Sequence, residues 1–235
     1  MSGHSHFATI KRQKENKDAA KGNLFGKLSK MISIAIKAGG GPNPDMNFRL
    51  RVAIDKARES NMPKENIDRI LKAAEEKQSS LEEITYEGFG PNNSQFIIET
   101  ATDNKNRTSQ EIKNILEKHG GGMGGPNSVA YNFDNKGYLL IKKNPDTEEQ
   151  MLTLIDLGAE DVEEVEEGIE VFTETENLKK LKEEVEGLGF EIVKMELIKK
   201  PRNYIELGNT ELEKLYKIID VLYEHDDVQK VFTNF

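Results

Sequence analysis

The sequence predicts an α+β protein of three domains: an N-terminal three-helix bundle and two ferredoxin-like α/β domains, one inserted into the other. Three observations lead there. Apolar residues between Leu24 and Ala74 recur at helical spacing. From Leu81 the pattern changes to short strands alternating with helices. A complete β-α-β-β-α-β order then sits between the two halves of another. The expected domains are 1–80, a discontinuous 81–136 with 201–235, and an insert at 137–200.

Residues 1–22 are polar and Lys-rich, with no apolar periodicity, and read as a mobile arm. Leu24, Leu28, Met31, Ile32, Ala35 and Ile36 mark a first helix, stopped by Gly39-Gly40-Gly41-Pro42. Leu50, Ala53, Ile54 and Ala57 mark a second. A third opens at Pro63 and shows Ile67, Ile70, Leu71 and Ala74. Ser94–Ala101 reads as a strand. Thr108-Ser-Gln-Glu111 reads as a capping box for a helix to Lys118, and Ser128–Phe133 as the next strand. The matching half is a strand at Asn203–Leu207, a helix at Glu211–Tyr223 and a strand at Val228–Thr233. In the insert, Tyr138–Ile141 is a strand and Asp146–Leu157 a helix. Asp161–Glu166 and Ile169–Thr173 form a hairpin, followed by a helix at Leu178–Leu188 and a strand at Ile192–Ile198. Asn135-Lys136-Gly137 and Pro201 mark the seams. One larger mixed sheet, or two sequential domains, are the simpler alternatives.

Charge divides along the same lines. The chain is acidic at -9, yet residues 1–80 carry 16 Lys/Arg against 9 Asp/Glu, a net of +7. Residues 144–200 hold 18 acidic and 6 basic side chains, a net of -12. A basic face on a small domain is the footprint of a polyanion binder. The acidic insert repels phosphates and suits solubility or a basic protein partner. No apolar run is long enough for a membrane span. Met1-Ser-Gly-His-Ser-His lacks the apolar core of a signal peptide, and Cys is absent, so a cytoplasmic place is expected.

The cations expected to grip phosphate are Lys11, Arg12, Lys14, Lys27, Lys30, Arg49, Arg51, Lys56 and Arg58. Phe7, beside His4 and His6, either stacks on a base or packs onto the bundle. Asp103–Thr108 lies between a strand and a helix start, so Lys105, Arg107 and Thr108 are a possible anion or partner contact; a capped turn is the plainer reading. His119-Gly-Gly-Gly-Met-Gly-Gly-Pro126 reads as a flexible loop that orders on a partner, or as a loose connection. His4 and His6 are too few for a zinc site. No Ser–His, Cys–His or paired-carboxylate arrangement stands out, so no catalytic residue, metal, cofactor or small-molecule substrate is expected.

Several motifs resemble the YebC/PmpR family. They are Gly3-His-Ser-His-Phe-Ala-Thr-Ile-Lys11, Arg49-Leu-Arg51 with Ala53-Ile54, Asn61-Met-Pro63 and Tyr86-Glu-Gly88. Thr102-Asp-Asn-Lys-Asn-Arg-Thr108, Lys118-His-Gly-Gly121, Asp226-Asp-Val228 and the ending Asn234-Phe235 continue the match. Phe7 stands where the family usually has Trp. The resemblance implies a helical N-terminal domain, two α/β domains and a cytoplasmic, probable DNA-binding transcriptional regulator. A mitochondrial relative is a translational activator of cytochrome oxidase, and bacterial members are linked to ribosomes. The expected partner is therefore DNA, with RNA or the ribosome as the alternative. A metal-dependent nucleic-acid enzyme is a remote third reading.

Overall fold

The computed structural model describes residues 21–76 and 81–235; for residues 21–23, 75 and 76 it describes the backbone alone. In chain order the elements begin with α1 (Lys21–Ala38), α2 (Phe48–Glu59), α3 (Lys64–Glu76), β1 (Glu82–Phe89), β2 (Gln95–Thr102) and α4 (Lys105–Lys118). There follow β3 (Gly122–Met123), β4 (Phe133–Ile141), α5 (Thr147–Asp156), β5 (Asp161–Val165) and β6 (Gly168–Glu174). The chain closes with α6 (Leu178–Gly187), β7 (Ile192–Pro201), α7 (Asn209–Glu224) and β8 (Val228–Thr233). No helix among the described residues is long and apolar enough to cross a membrane. The fold divides into two compact units: Tyr131–Tyr204, and the helical part together with the residues to Ala130 and Ile205–Thr233.

In the second of these units, α1 to α3 close on one core. Leu28, Ile32, Ala35 and Ile36 of α1 meet Leu50, Ala53, Ile54 and Ala57 of α2, with Met62 and Ile67 below. Each fully buried aliphatic side chain stabilises this small core by ~1.5–3 kcal/mol. Gly40 and Gly41, at φ 86° and 139°, end α1 in a conformation that other residues rarely adopt. The sheet of this unit runs β3-β1-β2-β8, every pair antiparallel. Phe96 and Ile98 of β2 face α4 and α7, which bring Ile112, Leu116, Leu215, Ile219 and Leu222. Ile97 and Ala101 point the other way, as strand alternation requires. Helix α1 packs against β2 and β8, and Ile34, Ile97 and Phe232 are buried outside both cores. Helix α1 is thus shared by the bundle and the sheet.

The other unit has the ferredoxin-like order β4-α5-β5-β6-α6-β7, with an antiparallel sheet β5-β6-β4-β7. Leu139, Ile141, Ile169 and Val171 alternate onto the face where Leu154, Leu181 and Val185 of the two helices cover them. Asp146 caps α5 through the Glu149 amide at 3.1 Å.

The structure differs from expectation at four places. Helix α4 starts at Lys105 with Asn104 as its cap, because Asn104 Oδ1 accepts the Arg107 amide at 3.2 Å; Thr108 is buried instead of capping. Residues 128–132 are a turn and a short 3₁₀ segment, not a strand. The amide protons of Val129 and Ala130 go elsewhere: the Glu87 carboxylate accepts them at 2.7 and 2.8 Å, and that of neighbouring Asn127 at 2.7 Å. The same bonds, with β3 pairing to β1, give the glycine-rich segment after His119 a fixed path. Residues 203–207 form no strand, and the Asn203 amide donates to Asn132 Oδ1 at 3.1 Å. Strand β1 is absent from the sequence-based expectation, since its Glu82-Glu83-Ile-Thr-Tyr-Glu87 stretch shows little apolar alternation.

Candidate nucleic-acid interface

His4, His6, Phe7, Lys11, Arg12 and Lys14 lie outside the described residues. The other cations divide into two groups.

The first group faces inward. Lys27 and Lys30, expected to grip phosphate, sit on the side of α1 that meets the sheet. Lys27 Nζ donates to the Tyr223 carbonyl at 2.5 Å and lies 5.5 Å from the Tyr223 ring centre. Burial pushes its pKa down to about 8; Asp226 opposes that and Lys30 adds to it. Lys30 forms an ion pair with Asp227 and donates to the Asp226 carbonyl at 3.2 Å.

Asp227 also takes Arg107 and Thr108. Its Oδ2 accepts from Arg107 Nη2 at 2.9 Å and from Thr108 Oγ1 at 2.6 Å, and its side chain is 2 % exposed. Burial by itself raises the pKa of this carboxyl. The Lys30, Thr108 and Arg107 hydrogen bonds overcome that effect and hold it well below the usual carboxylate range. Arg107 is further engaged by Asp103 at 3.0 Å. Lys105 keeps an exposed side chain while its carbonyl accepts the Tyr86 hydroxyl at 3.0 Å. The shallow cleft here, about 220 Å³, is lined by Glu82, Thr102, Asp103, Asn104 and Lys105. Two carboxylates in its wall disfavour an anion. Arg107 and Thr108 are thus both bonded to Asp227, and Asn104 caps the helix that carries them.

Glu111, His225 and Asp227 bring three ligand-type atoms within 4.8 Å of one another. Their bonding is already taken up. His225 Nδ1 accepts the Asp227 amide at 3.0 Å, which leaves the proton on Nε2 to donate to Glu111 at 2.8 Å. With two cations also on Asp227, the trio is a hydrogen-bonded junction that suits a metal poorly.

The second group faces outward along α2. Arg49, Arg51, Lys56 and Arg58 are all exposed, because Leu50, Ala53, Ile54 and Ala57 claim the opposite face for the core. Arg49 pairs with Glu83, the two side chains being 51 % and 50 % exposed. Arg58 pairs with Asp55 at 3.4 Å. Pairs this exposed are worth ~0–1 kcal/mol, so a phosphate can replace the carboxylate at little cost. Arg51 donates to the Pro44 carbonyl at 3.2 Å and to that of Asp45 at 3.1 Å, which fixes the loop before α2.

Asn47 is a structural residue that the sequence reading does not single out. It is 3 % exposed. Its Oδ1 caps α2 through the Leu50 amide at 3.0 Å, and its Nδ2 donates to the Ala35 and Gly41 carbonyls at 2.8 and 3.0 Å. A polar residue before an apolar run was the available signal.

Residues 5–77 match the TACO1/YebC protein N-terminal domain, and residues 81–235 match the TACO1/YebC second and third domain. A probable transcriptional regulatory protein of Thermoanaerobacter pseudethanolicus is 44 % identical over 238 residues, covering 100 % of this chain and 96 % of its own. Another of the same description, from Bacillus licheniformis, is 44 % identical over 239 residues and covers 100 % and 99 %. The crystal structure of a conserved hypothetical protein from Aquifex aeolicus superposes with a TM-score of 0.82 at 40 % identity, over 93 % of this chain and 91 % of that one. With both halves of the sequence and the fold in agreement, the chain belongs to the TACO1/YebC family.

Proposed function

We propose that this protein is a nucleic-acid-binding regulator of transcription that acts by binding and not by catalysis, in the cytoplasm. The observation that carries the reading is the outward face of α2, where Arg49, Arg51, Lys56 and Arg58 stand against Asp55 and Glu59. Such a face is complementary to a phosphate backbone. The names of the relatives support a regulatory role. In this reading DNA is the ligand, and the acidic insert does not bind it.

Binding of a labelled DNA duplex, titrated against salt, tests the proposal. Log affinity falls linearly with log salt, and Arg49→Gln with Arg58→Gln lowers the slope by roughly 0.9 for each phosphate no longer neutralised. Affinity indifferent to ionic strength sinks the proposal.

The concentration of negative charge at 144–200, a net of -12, favours a second reading in which the partner is a ribonucleoprotein such as the ribosome. RNA complements the basic domain of such a chain, and basic proteins beside it complement the acidic one. Gradient fractionation of lysate, with and without RNase, distinguishes the two: RNase-sensitive migration with ribosomes selects the second.

A further inference from the structure

The helical part presents a surface that phosphate binding does not use. Met46 is 85 % exposed, Phe48 53 % and Val52 36 %. Phe48 and Val52 are four residues apart on α2 and share a face, with Met46 just before the helix. Phe48 lies about 200° around the helix from Leu50, so it cannot reach the core. The loop that leads into α2 is held in place. Asn47 bonds to Ala35, Gly41 and Leu50, and Arg51 bonds to Pro44 and Asp45. A side chain added at Gly39 would collide with Asn47 Oδ1, so the chain runs close here. An exposed aromatic ring in the first turn of α2, flanked by Arg49 and Arg51, combines a stacking surface with cations.

We propose that Phe48, with Met46 and Val52 beside it, is a stacking platform for an unpaired nucleotide, whose neighbouring phosphates lie along Arg49 and Arg51. The proposal rests on the nucleic-acid reading of this domain and narrows the ligand to a single-stranded stretch. In a duplex the base faces are hidden in the stack, and only edges and phosphates are presented. A ring standing out of the surface has nothing to stack on there. An unpaired base offers its face, and every base has one. A purely apolar peptide would make no use of the exposed Arg49 and Arg51 that flank the ring, whereas a polyanionic strand meets ring and cations together.

The chain contains no Trp, so Phe48→Trp introduces a single indole at the platform. The full-length variant is mixed with labelled oligonucleotides of roughly twelve residues, single-stranded and duplex, a length suited to one binding face. Anisotropy reads binding and indole quenching reads stacking. The single strand binds and quenches, and the duplex binds without quenching. Phe48→Ala, folded by circular dichroism, loses roughly tenfold in single-strand affinity with its salt slope unchanged. Binding without quenching, together with an unchanged Phe48→Ala, overturns the platform and leaves the nucleic-acid reading standing. Equal quenching by duplex overturns the preference for unpaired bases. No binding to either nucleic acid overturns both readings.

Discussion

Asp227→Asn tests whether one buried carboxylate seats α1 on the sheet. The side chain is 2 % exposed and gathers Lys30, Arg107 and Thr108 from two other elements. Charge-assisted hydrogen bonds contribute ~1.5–3 kcal/mol each, and removing one partner of a buried pair costs ~3–5 kcal/mol when the stranded charge stays dry. Here the stranded cations keep some water, Lys30 being 24 % and Arg107 46 % exposed. The amide retains the shape and one acceptor, so the loss is about 2–4 kcal/mol. Urea unfolding at neutral pH, followed by circular dichroism and analysed at fixed slope, measures it. The sign of the pH dependence follows from the depressed carboxyl. Its stabilisation is complete above the ordinary carboxylate value of about 3.9 and is lost as pH falls through the lower folded value. The two proteins therefore converge on acidification. A neutral-pH difference below ~0.5 kcal/mol, typical of a surface change, would refute the reasoning, as would a gap that acid leaves intact.

Two further substitutions probe buried polar groups. Glu87→Gln replaces an acceptor of three amides by a group that also donates, so residues 127–130 exchange amide hydrogens faster and the unit loses ~1–3 kcal/mol; unchanged protection there would contradict the cradle. Lys27 has a folded pKa of about 8 against 10.5, so the unfolded chain binds more protons in that interval and stability rises with pH from about 8 to 10. Lys27→Met removes that rise, and urea midpoints at the two ends of the interval show it; parallel pH profiles for both proteins would mean that Lys27 is not buried.

The helices and most strands are legible because their signals are local. The apolar spacing of Leu50, Ala53, Ile54 and Ala57 is a property of a dozen neighbouring residues, and the structure buries that set. The hairpin that joins β5 to β6 through Glu166-Glu167 and the helix capped by Asp146 are local in the same way. Strand β1 escapes such a reading because half of its residues are exposed and three of its eight are Glu. The turn at 128–132 escapes it because its donors are taken by Glu87, some forty residues earlier, which no local pattern records.

By itself, then, the sequence determined the α+β class, the three-part order, the split of charge and the family motifs, all of which rest on spacing and composition within short windows. The tertiary structure alone decided that Lys27 and Lys30 turn away from solvent. Lys30 and Asp227 are 197 residues apart, and Arg107 and Asp227 are 120. Their pairing depends on α1 lying across the sheet at β8. That packing turns Lys27 and Lys30 inward, while the core of the helical bundle leaves Arg49, Arg51, Lys56, Arg58 and Phe48 on the outside of α2. Charge can be counted along a chain, but its exposure follows from which helix face the core claims, and that is settled only when distant elements pack.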